Sequence, residues 1–277
     1  MTRDSLGDFT IEPFTHNEQT KQVYWLGEGP AVVIMSEIPG ITPSVADFAR
    51  RLAGEGFRVA VPHLFGEPGR EPTNGYVVST LAKACVSSEF VAFAKQKTSP
   101  VSVWLRGLVA EAARRSGTDD QLGSVGVVGM CFTGGFALAL AVDPLVGVPV
   151  MSQPSLPLPV LPGAKADLGL TPDDLDEVKR RADASEICAV GLRFTGDPLV
   201  PAARFERLRA ELGDRFVGVE IDSSSGNQHQ IAKMAHSVLT EDFSSGPDHP
   251  TLKAYETVVF HFKTQLGNTP EQPPRPG

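Results

Sequence analysis

Short apolar runs alternate along the chain with stretches in which apolar residues return every three or four positions. The runs predict strands buried on both faces, and the returning pattern predicts amphipathic helices. Ala31–Met35 (Ala-Val-Val-Ile-Met), Arg58–Leu64, Ser124–Gly129, Val146–Met151, Ala189–Thr195 and Phe216–Asp222 read as strands. Phe9–Phe14 and Gln22–Leu26 read as an opening pair of strands. Ser44–Gly54 puts Val45, Phe48, Ala49 and Leu52 on one helical face, with Gly56 near its end. Val77–Lys97, Val101–Arg115, Thr133–Val142, Ala202–Leu212 and Thr251–Leu266 read as further helices. Thr171-Pro-Asp-Asp is an N-cap with proline at the first helical position, so a helix runs from there to about Ala182.

Strands that alternate with helices predict an α/β fold with a mostly parallel sheet covered on both faces. No linker or charge run divides the chain. The expectation is one domain over residues 1–269, followed by a loose Pro-rich tail at 270–277. Such sheets take their ligands at the C-terminal ends of the strands, so functional residues are expected just after strands.

Composition narrows the function classes. Of 277 residues, 41% are hydrophobic and 21% charged, which excludes a disordered chain. The net charge of −8 argues against sequence-independent nucleic-acid binding and against docking on anionic lipid. No apolar run reaches the roughly 18–20 residues of a membrane span, and Met1–Asp8 lacks an apolar signal segment. A soluble, cytoplasmic protein is expected, either monomer or homodimer. Cys85, Cys131 and Cys188 lie far apart, so neither a disulfide framework nor a CxxC metal site is available.

One cysteine stands out. After the strand Ser124–Gly129 comes Gly129-Met-Cys131-Phe-Thr-Gly-Gly135, then the Ala/Leu-rich helix. Strand, sharp turn and helix form the nucleophile-elbow pattern, with cysteine in the serine position. Residues two positions from the nucleophile must be small because the turn is strained. The helix start favours a thiolate, and the N–H of Phe132 is placed as an oxyanion donor. Cys85, in a helical pattern, and Cys188, at a strand entrance, read as core residues.

An elbow nucleophile needs a histidine, and the histidine needs a carboxylate that sets its tautomer. The chain order in this fold is nucleophile, acid, histidine. Asp197, in Thr195-Gly-Asp-Pro198 just past the strand Ala189–Thr195, meets both the order and the strand-end rule. His16, His63, His249 and His261 read as structural or solvated. His229 and His236 both follow the last strand, and spacing does not choose between them.

These motifs resemble the dienelactone hydrolases, α/β-hydrolases with a Cys-Asp-His triad. The resemblance runs from about Ala31 to Leu266. Gly-Met-Cys131-Phe-Thr-Gly-Gly is similar to the family's Gly-x-Cys-x-Gly-Gly elbow. Ser36-Glu37-Ile38-Pro39-Gly40 resembles its Gln-Glu-Ile-Phe-Gly stretch, and Ala-His236-Ser-Val its Gly-His-Ser-Phe. The resemblance implies a small-molecule ester or lactone hydrolase that needs no cofactor and no metal, with His236 as the base. It implies that Glu37 helps convert the Cys131 thiol to thiolate and that the N–H of Ile38 is the second oxyanion donor. Ser152–Gly163, rich in Pro and Leu, is placed to wall an apolar pocket.

The chain also departs from the family. Thr133 stands at a glycine position of the elbow, and His63 stands where an aspartate is common. No arginine follows His236 to grip a substrate carboxylate, and Asp222–Ala235 is longer than the corresponding loop. A second function class stays open: a non-hydrolytic small-molecule binder or thiol redox sensor on the same scaffold.

Overall fold

The computed structural model describes residues 3–86, 100–159 and 163–267. The latter part of the Val77–Lys97 helix, residues 160–162 of the Ser152–Gly163 wall and the 270–277 tail fall outside the described residues, as does the side chain of Cys85. Eight strands form one sheet: β1 (Thr10–His16), β2 (Gln19–Leu26), β3 (Ala31–Met35), β4 (Arg58–Pro62), β5 (Val125–Met130), β6 (Val146–Ser152), β7 (Ala189–Phe194) and β8 (Phe216–Ile221). Their order is β1-β2-β4-β3-β5-β6-β7-β8. From β4 to β8 all pairings are parallel, whereas β1 and β2 are antiparallel to their neighbours.

The helices are α1 (Pro43–Gly54), α2 (Asn74–Val86), α3 (Pro100–Ser116), α4 (Gly134–Leu140), α5 (Pro172–Asp183), α6 (Ala202–Leu212) and α7 (Pro250–Leu266). The pleat of β3 decides which helices meet which face. Ala31, Val33 and Met35 point into a core shared with α3, α4, α5 and α6, while Val32 and Ile34 point into a second core shared with α1 and α7. All five β3 side chains are buried, which is why the sequence there is a continuous apolar run.

The hairpin is longer than the hydrophobic pattern predicts. β1 and β2 reach His16 and Gln19 around the turn residues Asn17 and Glu18, both at positive φ, as a two-residue hairpin requires. Most β1 residues and the first part of β2 are exposed or half-buried, so polar residues stand where a buried strand would show apolar ones. The Thr171 cap forms as expected, its hydroxyl accepting from the Asp174 N–H at 3.1 Å. α4 starts at Gly134 because Cys131–Thr133 make a separate turn of 3₁₀-helix.

Candidate active site

The ends of β3, β5, β6 and β7, together with the loop after β8, bring the candidate residues to one edge of the sheet. β5 ends at Met130, and the next residue, Cys131, has φ of +51°. A non-glycine residue in that region is strained, and the surrounding packing must impose it. That packing leaves no room beside the turn. A Cβ on Gly129 would sit 2.2 Å from the Thr133 carbonyl oxygen, and one on Gly134 would sit 2.5 Å from the Pro154 Cα.

Thr133 makes its own contribution to the elbow. Its buried hydroxyl accepts from the Met130 N–H at 2.9 Å and faces the carbonyls of Met35, Met130 and Ser36 at 2.8, 3.0 and 3.3 Å. The side chain therefore ties the elbow to the end of β3, the segment that leads into Glu37 and Ile38. Glycine at this position would supply no such link.

Asp197 and His236 meet across 39 residues of sequence. Asp197 Oδ2 lies 2.6 Å from His236 Nδ1, and the other carboxylate oxygen accepts from the Leu199 N–H at 2.9 Å. The carboxylate is buried while the imidazole is 23% exposed. The His236 loop is fixed from behind by Asp242, whose Oδ2 accepts the backbone N–H groups of both His236 and Ser237, at 2.8 and 2.9 Å. Burial opposes the imidazolium charge. The hydrogen bond with Asp197 and the neighbouring Cys131 outweigh it and push the His236 pKa up to about 11. His236 Nε2 is buried and has no hydrogen-bond partner of good geometry among the described residues. His229 is exposed and lies against His249, ring centroids 5.5 Å apart, so it is His236 that the fold brings to Asp197.

Glu37 is buried and its carboxylate is fully engaged. It accepts from the Ser237 hydroxyl at 2.6 Å, from the Thr240 hydroxyl and from the Gln153 amide at 3.2 Å. Gln153, completely buried at the end of β6, also accepts from Ser152 and from the Val238 N–H. This network joins β3 and β6 to the segment just after His236. The Glu37 hydrogen bonds thus run to the histidine loop, and the hydrogen bond of the Cys131 thiol runs to Ser155, with Sγ to Oγ at 3.4 Å.

Ile38, Leu64 and Cys131 pack on a cluster that includes Phe65, Phe132 and Leu156, and the Phe65 and Phe132 rings meet edge to face at 5.9 Å. Behind the loop after β6, the buried Arg204 guanidinium donates to the carbonyls of Pro154, Pro157, Ala164 and Asp167. Burial lowers its pKa to about 10, against the charge of Asp167.

The other histidines and cysteines lie elsewhere. His63 bonds the Gly66 carbonyl at 2.8 Å, and His249 caps α7. Cys188 is half-buried beside His261, with Sγ 3.5 Å from Nδ1. Burial raises the proton affinity of that thiol and lowers that of the imidazole, which keeps the pair neutral. Sequence reasoning missed the Thr133 link, the Gln153–Glu37 network, Arg204 and the Ser155 contact. Only the last had a visible signal, a serine in the Pro-rich stretch after β6.

Comparison with known proteins decides the family. The profile of the dienelactone hydrolase family matches residues 19–265. The chain belongs to the dienelactone hydrolase family. Membership makes it a hydrolase of the ester and lactone class. No curated protein matches the sequence.

Solved structures share the α/β-hydrolase fold of this dienelactone hydrolase family member. A protein of Klebsiella pneumoniae subsp. pneumoniae MGH 78578, named for the same family, is 18% identical with a TM-score of 0.61, over 92% of this chain and 98% of its own. A dienelactone hydrolase-like promiscuous phosphotriesterase from metagenomic libraries is 16% identical with a TM-score of 0.59, over 94% of this chain and 100% of its own. Esterase 2 of Thermogutta terrifontis is 15% identical with a TM-score of 0.57, over 97% and 98%. Among the described residues no helix is long and apolar enough to cross a membrane.

Proposed function

We propose that the chain hydrolyses small esters or lactones through a covalent thioester on Cys131, with His236 as general base and Asp197 as its orienter. The observation that carries this reading is one juxtaposition. A cysteine at positive φ on a strand–turn–helix elbow shares a strand-end edge with a histidine whose Nδ1 is 2.6 Å from a buried aspartate.

The steps follow from the arrangement. With its pKa pushed up to about 11, His236 already holds the proton at neutral pH, so the Cys131 sulfur attacks beside an imidazolium that Asp197 steadies. The sulfur attacks the carbonyl carbon, and the oxyanion is received by the N–H groups of Phe132 and Ile38. Their segments are neighbours because β3 and β5 pair in parallel, with Met35 opposite Gly129. The alcohol leaves with the proton from Nε2. Acylation removes the thiol's contribution to the raised His236 pKa, so the imidazole becomes a better base for the water that releases the acid. No metal or organic cofactor enters these steps.

In this reading Glu37 supports the thiolate indirectly, by holding the His236 loop through Ser237 and Thr240. Phe65, Phe132 and Leu156 belong to the apolar cluster on which Ile38 and Cys131 pack, and such surroundings suit an uncharged acyl group better than a carboxylate. The test is hydrolysis of a panel of short esters, thioesters and lactones, with and without a carboxylate. Wild type is compared with Cys131→Ala, His236→Ala and His229→Ala. Loss of turnover in the first two, with His229→Ala near wild type, is the expected result. An inactive wild type, or full activity in Cys131→Ala, overturns the reading and favours a binding or redox role.

A further inference from the structure

We propose that Ser155 is a further catalytic residue, whose hydroxyl donates a hydrogen bond to the Cys131 sulfur whenever that sulfur carries negative charge. The inference rests on Cys131 being the nucleophile. It concerns a residue that no elbow or triad pattern identifies.

Two bonds join Ser155 to the nucleophile. Its backbone N–H donates to the Cys131 carbonyl at 3.0 Å, and its Oγ lies 3.4 Å from Sγ. Ser155 is 3% exposed, and the thiol is the only hydrogen-bond partner of its hydroxyl among the described residues. A buried hydroxyl needs a partner, and toward a thiolate, which has no proton to give, Ser155 is the donor. Three neighbouring hydroxyls are committed elsewhere, Ser152 to Gln153 and Ser237 and Thr240 to Glu37.

The donor is held in place before substrate arrives. Gln153 N–H is bonded to the Leu192 carbonyl at 2.7 Å. Arg204 takes the carbonyls of Pro154 and Pro157, on either side of Ser155, and reaches Ala164 and Asp167 at 3.3 and 2.9 Å. Pro154 packs on the bare Cα of Gly134 at the start of α4. A donor fixed in this way stabilises charge without having to reorganise. Arg204 is then a positioning residue for Ser155.

No bond to Ser155 breaks. In the attack, the sulfur electron pair forms the S–C bond, the proton already on His236 Nε2 stays there until the alcohol leaves, and Ser155 keeps its own proton. In deacylation the S–C bond breaks, the electron pair returns to sulfur, and Ser155 again donates to it. The hydroxyl therefore favours the thiolate at both ends of the cycle.

The test is the pH dependence of Cys131 alkylation by iodoacetamide, followed on the Cys131 peptide, alongside hydrolysis of nitrophenyl acetate. Wild type is compared with Ser155→Ala, Ser155→Gly, Ser155→Thr and Cys131→Ala. Removing the hydroxyl should slow alkylation at neutral pH by about tenfold or more, as loss of a hydrogen bond to a charged group does. The alkylation midpoint should rise by about one pH unit, and kcat should fall more than KM rises. Both hydroxyl-free variants must shift the same way, and Ser155→Thr must restore most of the rate. A purely structural serine would lower thermal stability and leave the midpoint alone. A midpoint that stays or falls in Ser155→Ala and Ser155→Gly overturns the Ser155 assignment alone, provided Cys131→Ala has lost hydrolysis. Wild-type hydrolysis by Cys131→Ala overturns the nucleophile reading, and this proposal with it.

Discussion

Replacing Thr133 by valine tests whether the elbow depends on its hydroxyl. The exchange swaps a hydroxyl for a methyl at nearly constant volume in a side chain that is 1% exposed. The Met130 N–H would lose the acceptor it now has at 2.9 Å, and the Met35 carbonyl would lose a donor at 2.8 Å. The hydroxyl has one proton, so the three carbonyls it faces share a single bond, and the loss amounts to one acceptor and one donor. An unsatisfied buried group costs about 1–3 kcal/mol, so with two such groups Thr133→Val is expected to destabilise by about 2–6 kcal/mol. At about 2–4 °C per kcal/mol that lowers Tm by roughly 4–24 °C. Thr133→Ser keeps the hydroxyl and should stay within about 1 kcal/mol of wild type. The assay is thermal unfolding by calorimetry together with kcat/KM well below the transition. Because the same bond ties the elbow to the segment carrying Ile38, kcat/KM should fall about tenfold or more in folded Thr133→Val. A Tm within about one degree of wild type, with kcat/KM unchanged, would refute the reasoning.

Asp197→Asn keeps the shape but loses the charge, so kcat should drop by about 10²–10⁴ with KM little changed, as seen when a triad aspartate becomes an amide; a change in KM alone would contradict the orienting role. The His236 pKa is raised from 6.5 to about 11, so its contribution to stability is complete below 6.5 and is lost as pH rises from there through about 11. Denaturant unfolding should therefore show the gap between wild type and His236→Gln narrowing as pH rises above neutral, and a widening gap would reverse the sign assigned here. Glu37→Ala strands the Ser237 and Thr240 hydroxyls and should destabilise by about 3 kcal/mol or more, while Glu37→Gln, which can still accept, should cost less than half of that; equal effects in urea unfolding would show that the network is not what holds Glu37. Esters with a free carboxylate on the acyl part should turn over no faster than neutral analogues, and a strong preference for them in kcat/KM would show a cation at the site.

Strands and helices were legible in the sequence wherever burial is set by local periodicity. Ala31–Met35 lies between two helix layers, so every position is apolar and the strand is plain. β1 is largely solvated, and its polar positions hid the last residues of the hairpin. The elbow at Cys131 was legible because a strained turn after a buried strand demands glycines on both sides, and Asp197 stood out as a candidate because it lies just past a strand end. The histidine was different. His229 and His236 lie seven residues apart in one long loop; spacing does not choose between them, and only the resemblance of Ala-His236-Ser-Val to a family motif favours His236. The tertiary structure is what brings His236 to Asp197, through a hydrogen bond that spans 39 residues and a loop anchored on Asp242. The partners of Glu37, 116 to 203 residues away, and the Ser155 contact with Cys131 were equally invisible. Local sequence determines which elements form because burial and turn strain act on neighbouring residues. Which loop side chains meet at the strand ends depends on the order of strands in the sheet, and that order is a property of the folded chain as a whole.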